Sequence, residues 1–439
     1  MSISPEQVFE SLERYLLPDV IPVVMDLERS QGNRIFCARE KKWYLDCFSY
    51  IASNPLGHNH PLLSEPAFER KLLRVAKTKP SNSDFYCVEL ADFVDTFARL
   101  ATPAAFPHLF FIEGGALAVE NALKVAFDWK IRRNKRNGVS GEVGTRVLHF
   151  KQAFHGRSGY TLSLTNTADP RKTMYFPKFD WPRVLNPKIR FPRTAENDLL
   201  TAQAEADAEA EIRAAFDRYG ADIAAIIIEP IQGEGGDNHF RPEFHATLRR
   251  LADEFEALLI YDEVQSGMGL TGRMWAYEHY GITPDIVSFG KKAQVCGVMA
   301  GRRVDEEPQN VFVERSRINS TWGGNLTDMV RCQRFLEIIE QERLVENARD
   351  VGDYLLQGLE RLVERHDGLL SAARGKGLML AIDAPDGPTR DAIFAECFKR
   401  GALILKCGMT SLRLRPSLTF SKSEADELLA ILDQSVQRS

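Results

Sequence analysis

Four short apolar runs mark the middle of the chain: RVLHF at 146–150, IAAIII at 223–228, ALLIYD at 257–262 and DIVSF at 285–289. Their length and their β-branched residues predict strands buried on both faces. Between the second and third lies PEFHATLRRLADEFEA, whose apolar residues recur at helical spacing. This alternation predicts an α/β fold with a mostly parallel sheet flanked by helices. Ligands of such sheets gather beyond the carboxyl ends of the strands. Each run closes on, or is soon followed by, a polar residue at that end: Lys151, Glu229, Asp262 and Lys291.

From about residue 330 the pattern changes. One long helical run covers 329–366, followed by the strand-like GKGLMLAIDAP and a helix over 389–400. ALILKC and SLRLRPSLTF read as strands, and Ser421 and Glu424 form a capping box for a last helix. KKWYLDCFS, near the amino end, shares this α+β texture. The expected organisation is a large domain over 66–330 and a smaller α+β domain made from both chain ends, 1–65 and 331–439. Segment 201–219, alanine-rich and acidic, reads as a solvated helix.

Composition narrows the function classes. The 439 residues are 44% hydrophobic, enough for more than one domain. The formal net charge of −5, from 56 basic and 61 acidic residues, gives no reason to expect nucleic acid or an acidic membrane as partner. The basic run from Lys130 to Arg136 ends a helical pattern, where cations complement the carbonyl end of the helix dipole. Seven cysteines, widely spaced and without CxxC, argue for a reducing compartment, the cytoplasm, and against a disulfide framework or a structural zinc. Glu6, Glu10 and Glu13 are incompatible with a secretory signal, and Ser4, Pro5 and Gln7 predict a capped helix start there instead. No apolar stretch approaches membrane-spanning length.

Single residues carry weaker signals. Asp262 emerges from a buried strand, which suits either a structural ion pair or a permanent anion held against a cationic ligand. Gly114 and Gly115 precede a long amphipathic helix, where peptide N–H groups can approach a phosphate, although a plain turn would look the same. The loop 318–328 offers Thr321 and Asn325 beside glycines. His58 and His60 read as part of a turn rather than a metal site, and no metal is expected. Arg415 lies in an alternating strand and offers a fork for a carboxylate or an ordinary ion pair.

Together these segments resemble a known family. IIIEPIQGEGGD, LIYDEVQSGMGLTGRMWAYEHYGITPDIVSFGK, FHGR and TWGGN, in the positions they hold, are similar to the class III aminotransferases, and the likeness spans nearly the whole chain. It implies a fold-type I enzyme with pyridoxal 5′-phosphate as cofactor and a homodimer with active sites at the interface. The family's cofactor-bonding lysine stands six positions after the aspartate of the last Pro-Asp; counted from Asp285 this is Lys291, not Lys292. The chemistry agrees, since a lysine must be neutral to attack an aldehyde and an apolar site favours the neutral amine. Neighbours in extended chain face opposite sides, so one lysine is expected in the site and the other away from it. By the same resemblance, Asp262 would pair with the cofactor's protonated pyridine nitrogen and Gln265 with its phenolic oxygen. Phe154 would stack on the ring, Gly115 and Ala116 would cradle the phosphate, and Thr321 would reach the phosphate of the neighbouring subunit. The family's usual serine-glycine-alanine-glutamate is replaced here by Gly114-Gly115-Ala116-Leu117, which removes a phosphate-binding hydroxyl.

Substrate follows from charge. An arginine that awaits the α-carboxylate of glutamate is left unpaired when a terminal amine is the donor, and a buried unpaired cation is costly. Family members meet this with a glutamate that pairs with the arginine and swings away; Glu234 and Arg415 match that pair. Arg157 can take a distal carboxylate, and Asn319 the α-amino group. EGGALAVENALK, FHGRSGYTLSLTNT, FGKKAQVCGVMAGRR and NSTWGGNLTDMVR resemble the subgroup acting on the ε-amine of lysine. That implies ping-pong transfer from L-lysine to 2-oxoglutarate, giving L-glutamate and allysine, which cyclises to a piperideine carboxylate. The alternatives are another ω-aminotransferase, acting on ornithine, 4-aminobutyrate or a diamine, and an aminomutase of the same fold.

Overall fold

A computed structural model describes residues 3–18 and 21–437. Near the amino end, β1 (Arg34–Cys37) and β2 (Lys42–Asp46) form a hairpin. The middle of the chain supplies β3 (His108–Ile112), β4 (Arg146–Phe150), β5 (Arg183–Val184), β6 (Ile223–Ile228), β7 (Leu258–Asp262), β8 (Ile286–Phe289) and β9 (Cys296–Ala300). These make one seven-stranded sheet in the order β3-β9-β8-β7-β6-β4-β5. Only β9 runs antiparallel to its neighbours. The four apolar runs are its central strands, and β3, β5 and β9, the last hidden in CGVMA, are the strands that the alternation with helices did not suggest.

Both faces of the sheet are covered. Leu259 and Tyr261 of β7 pack into one apolar cluster, Leu258 and Ile260 into the other. Burying each such side chain contributes roughly 1.5–3 kcal/mol. The long helix Gly115–Arg136 covers one face and packs against β6, β8 and β9. The acidic helix Ala195–Tyr219 is less solvated than its composition suggests, because Thr201, Ala208, Ile212 and Phe216 form a buried stripe along it.

The two ends of the chain meet. β12 (Ala402–Leu403) follows β10 (Ser371–Lys376) and β11 (Met379–Asp383) and adds to the hairpin by pairing in parallel with β2. β13 (Leu405–Cys407) and β14 (Ser411–Leu414) join β10 and β11 in a four-stranded antiparallel sheet. The long helical run over 329–366 is two helices, Leu326–Gln341 and Leu344–Arg365, broken where Arg343 takes a left-handed conformation (φ 52°). GKGLMLAIDAP contributes a hairpin rather than one strand, turning at Gly377 (φ 52°). No helix among the described residues is long and apolar enough to cross a membrane.

Candidate active site

The parallel strands deliver their last residues to one edge of the sheet, and a cavity of about 520 Å³ opens there. Glu229 follows β6, Asp262 ends β7 and Lys291 follows β8; all three line the cavity. Register explains the meeting of the last two: Asp262 stands opposite Ser288, so the chain leaving β8 emerges beside the carboxylate.

Asp262 is 5% exposed. Its Oδ2 lies 2.8 Å from His155 Nδ1, and its Oδ1 accepts from the Val264 N–H at 3.0 Å and the Ser288 hydroxyl at 3.4 Å. His155 is buried too, and its Nε2 has no partner. The Glu229 carboxylate accepts from Phe154 N–H (2.8 Å) and Gly233 N–H (3.2 Å) and so ties two cavity loops together. Burial, then the charge of Asp262, holds its pKa well above the usual carboxylate range.

Lys291 does not sit in extended chain. β8 ends at Phe289, and Lys291–Ala293 is a 3-10 turn with Lys291 at φ 46° and Gln294 at φ 63°. Two left-handed non-glycine residues in one short turn are strained backbone, a feature concentrated at working sites. The turn sends the Lys291 side chain into the cavity and Lys292 behind it, where Nζ lies 3.5 Å from the carbonyl of Asn54. The two lysines therefore diverge through a turn and not by strand alternation. Burial, reinforced by Arg413, pushes the Lys291 amine down to about 8; burial and Arg415 push Lys292 to about 7. Lys292 is as enclosed as a core residue, at 1% exposure.

Arg157, which is exposed, lines the cavity at its mouth, and Gly115 and Ala116 line another part of it. These two residues open the helix Gly115–Arg136, with Gly114 as its N-cap at φ 97°. That part of the cavity is tight: a Cβ on Gly156 would fall 2.6 Å from the Ala116 Cβ, and one on Gly115 would fall 2.8 Å from Val264 Cγ1. Phe154 and Gln265 line the same space.

Glu234 lines the cavity, but it does not pair with Arg415. Its Oε1 accepts from Lys172 Nζ at 2.6 Å and from the Thr167 hydroxyl at 2.7 Å. Arg415 has no exposed surface; it forms an ion pair with Asp237, donates to Gln265 Oε1 at 3.2 Å and to the Leu414 carbonyl at 2.9 Å. Of the two arginines on this strand end, Arg413 lines the cavity, and its Nη1 donates to Gln265 Oε1 at 3.1 Å. The physical reason is the end of β14 at Leu414. Arg415 lies past the strand, where its N–H donates to the Cys47 carbonyl, and it points into the body of the protein. Thr321 and Asn319 stay outside their own chain's cavity, on an exposed loop held to Ser81 through the Thr321 carbonyl.

Glu229 was legible in the sequence as a carboxylate at the carboxyl end of a strand. Lys172, in the loop TADPRKTM, carried no such signal.

The chain as a whole is similar to known proteins. The profile of the family described as Aminotransferase class-III matches residues 16–436. The L-lysine-epsilon aminotransferase of Mycobacterium tuberculosis is 52% identical over 428 residues, covering 97% of this chain and 94% of that protein. The protein of the same description from Streptomyces clavuligerus is 48% identical, covering 99% and 95%. The solved structure of the lysine aminotransferase from M. tuberculosis superposes with a TM-score of 0.97 at 51% identity, over 99% of this chain and all of that one.

Proposed function

Because the chain belongs to the class III aminotransferases, we propose that it moves the ε-amino group of L-lysine to 2-oxoglutarate, releasing L-glutamate and allysine. The single observation that carries the reading is that Lys291 and Asp262 line one cavity: a partly buried lysine whose amine is pushed down to about 8 beside a buried carboxylate. The family's cofactor is pyridoxal 5′-phosphate, and the residues fit it. A glycine-containing corner at the start of a 22-residue helix suits the phosphate, Asp262 offers a carboxylate at the end of β7, and Phe154 and Val264 line the same cavity. When bound, the cofactor supplies an aldehyde that takes up amines and a ring that accommodates the electrons of a broken C–H bond.

The side chains divide the remaining work. Lys291 Nζ, its pKa pushed down to about 8, would hold the aldehyde at rest and would otherwise act as the base that moves the proton at the carbon bearing the reacting amine. Asp262, fixed by His155, would hold a proton on the ring nitrogen, and Gln265 would hold the phenolic side of the ring. Arg413, not Arg415, receives the α-carboxylate of the keto acid, and Glu234 is the anion that covers this arginine when the donor brings only methylenes. Arg157 at the mouth binds the distal carboxylate.

Two further assignments belong to the same reading. Thr321 and Asn319 complete the cavity of a second subunit in a homodimer, which accounts for their place on an exposed loop beside Phe85, Tyr86 and Trp322. The seven unpaired cysteines support a reducing compartment, which favours the cytoplasm. Assays of the purified protein with lysine, ornithine and 4-aminobutyrate at equal concentration, each with 2-oxoglutarate, test the donor. Lysine is expected to be turned over fastest, and faster turnover of ornithine would overturn the assignment.

A further inference from the structure

Lys172 belongs to no motif that carries the family resemblance, yet it lines the catalytic cavity. It closes a short turn, Pro170–Lys172, whose Arg171 N–H donates to Asp169 at 3.1 Å. From that turn Nζ reaches Glu234 Oε1 at 2.6 Å, and the Thr167 hydroxyl donates to the same oxygen. The other carboxylate oxygen of Glu234 is buried without a partner. Arg413 lines the same cavity, its Nε is also buried without a partner, and among the described residues no carboxylate lies within 4 Å of its guanidinium.

We infer that Lys172 is a positioning residue for the acceptor half of the reaction: it parks Glu234 away from Arg413, leaving the guanidinium open to the α-carboxylate of a dicarboxylate keto acid. The inference rests on the proposed reading of the two substrates. An acceptor that settles on Arg413 brings negative charge next to Glu234. Without a cation of its own, Glu234 would either remain on Arg413 and exclude the acceptor or stay enclosed and unpaired, which is strongly unfavourable. Lys172 removes that conflict by neutralising the parked carboxylate.

Exposure makes the exchange reversible. The Lys172 side chain is 34% exposed, so water can solvate its ammonium when Glu234 leaves it; Arg413 is 5% exposed and has no such recourse. With a donor that carries no carboxylate near Arg413, Glu234 is therefore drawn across to the buried arginine. With a dicarboxylate it returns to Lys172. One carboxylate thus serves two cations, and the difference in their solvation sets the direction.

The test is a double-mutant cycle read by calorimetry with glutarate, an unreactive five-carbon dicarboxylate, titrated into the cofactor-loaded enzyme. Lys172→Met is expected to weaken glutarate about tenfold in the otherwise wild-type protein and less than twofold when Glu234 is already Glu234→Gln. Lys172→Gln, a second uncharged variant, must repeat that pattern, and Lys172→Arg must restore binding to near the wild-type level. An equal loss in both backgrounds would show that Lys172 touches the ligand itself, and no loss in either would show that the pair is incidental; each overturns the inference. Glutarate that binds the wild type no more tightly than acetate overturns the acceptor reading, and this inference with it.

Discussion

Two arginines two residues apart, Arg413 and Arg415, are assigned opposite duties, and paired substitutions separate them. Arg415→Met leaves Asp237, itself fully enclosed and with Oδ2 already lacking a partner, as a buried anion without its cation. Removing one member of a buried pair costs about 3–5 kcal/mol. Arg413→Met deletes one hydrogen bond to Gln265 Oε1, which Arg415 continues to satisfy, at a cost of about 1 kcal/mol. Urea unfolding followed by circular dichroism should therefore rank Arg415→Met as the less stable variant by at least ~2 kcal/mol. Kinetics should rank them the other way. Loss of a desolvated charge contact to the acceptor is worth about 2–5 kcal/mol, so Arg413→Met should raise the KM for 2-oxoglutarate roughly thirtyfold or more at saturating lysine. The reasoning is refuted if Arg415→Met unfolds like the wild type but loses the acceptor while Arg413→Met retains it.

Other outcomes follow from Lys291, Lys292 and the glycines of the cavity. Lys292 has a folded pKa of about 7 against an ordinary 10.5, so between those values the unfolded chain binds a proton that the native protein does not, and stability rises with pH. Lys292→Met should be more stable than the wild type near pH 7, with the advantage shrinking by up to about 1.4 kcal/mol per pH unit as pH rises towards 10.5; a constant difference would contradict this. Lys291 titrates near 8, so the rate at which the cofactor-free enzyme captures the aldehyde should climb as pH is raised through 8 and then level, as followed by absorbance. Gly156→Ala combines a left-handed φ of 122° with a 2.6 Å approach to the Ala116 Cβ, and should loosen the cofactor at least tenfold by dialysis and titration while Lys291 remains intact.

The central strands were legible because they are buried on both faces and so form unbroken apolar runs; Ile223–Ile228 is buried at every position. β9 was not, since CGVMA is short, and what makes it a strand is pairing with β3 and β8, which are distant in sequence. The polar residues at strand ends marked Glu229, Asp262 and Lys291 from local pattern alone. Choosing between Arg413 and Arg415 needed the point where β14 stops, a tertiary feature set by the Cys47 carbonyl and by Asp237. LRLR puts both arginines on one face and gives no means of telling them apart. Lys172 depends on a loop folding back on the cavity, for which periodicity carries no signal.

Terminal-amine transfer is tested most directly by isotope. Lysine labelled with ¹⁵N at the ε position, incubated with the enzyme and 2-oxoglutarate, should yield ¹⁵N-glutamate, while lysine labelled at the α position should yield unlabelled glutamate. Label arriving from the α position, or glutamate that carries none from either, would contradict the reaction proposed.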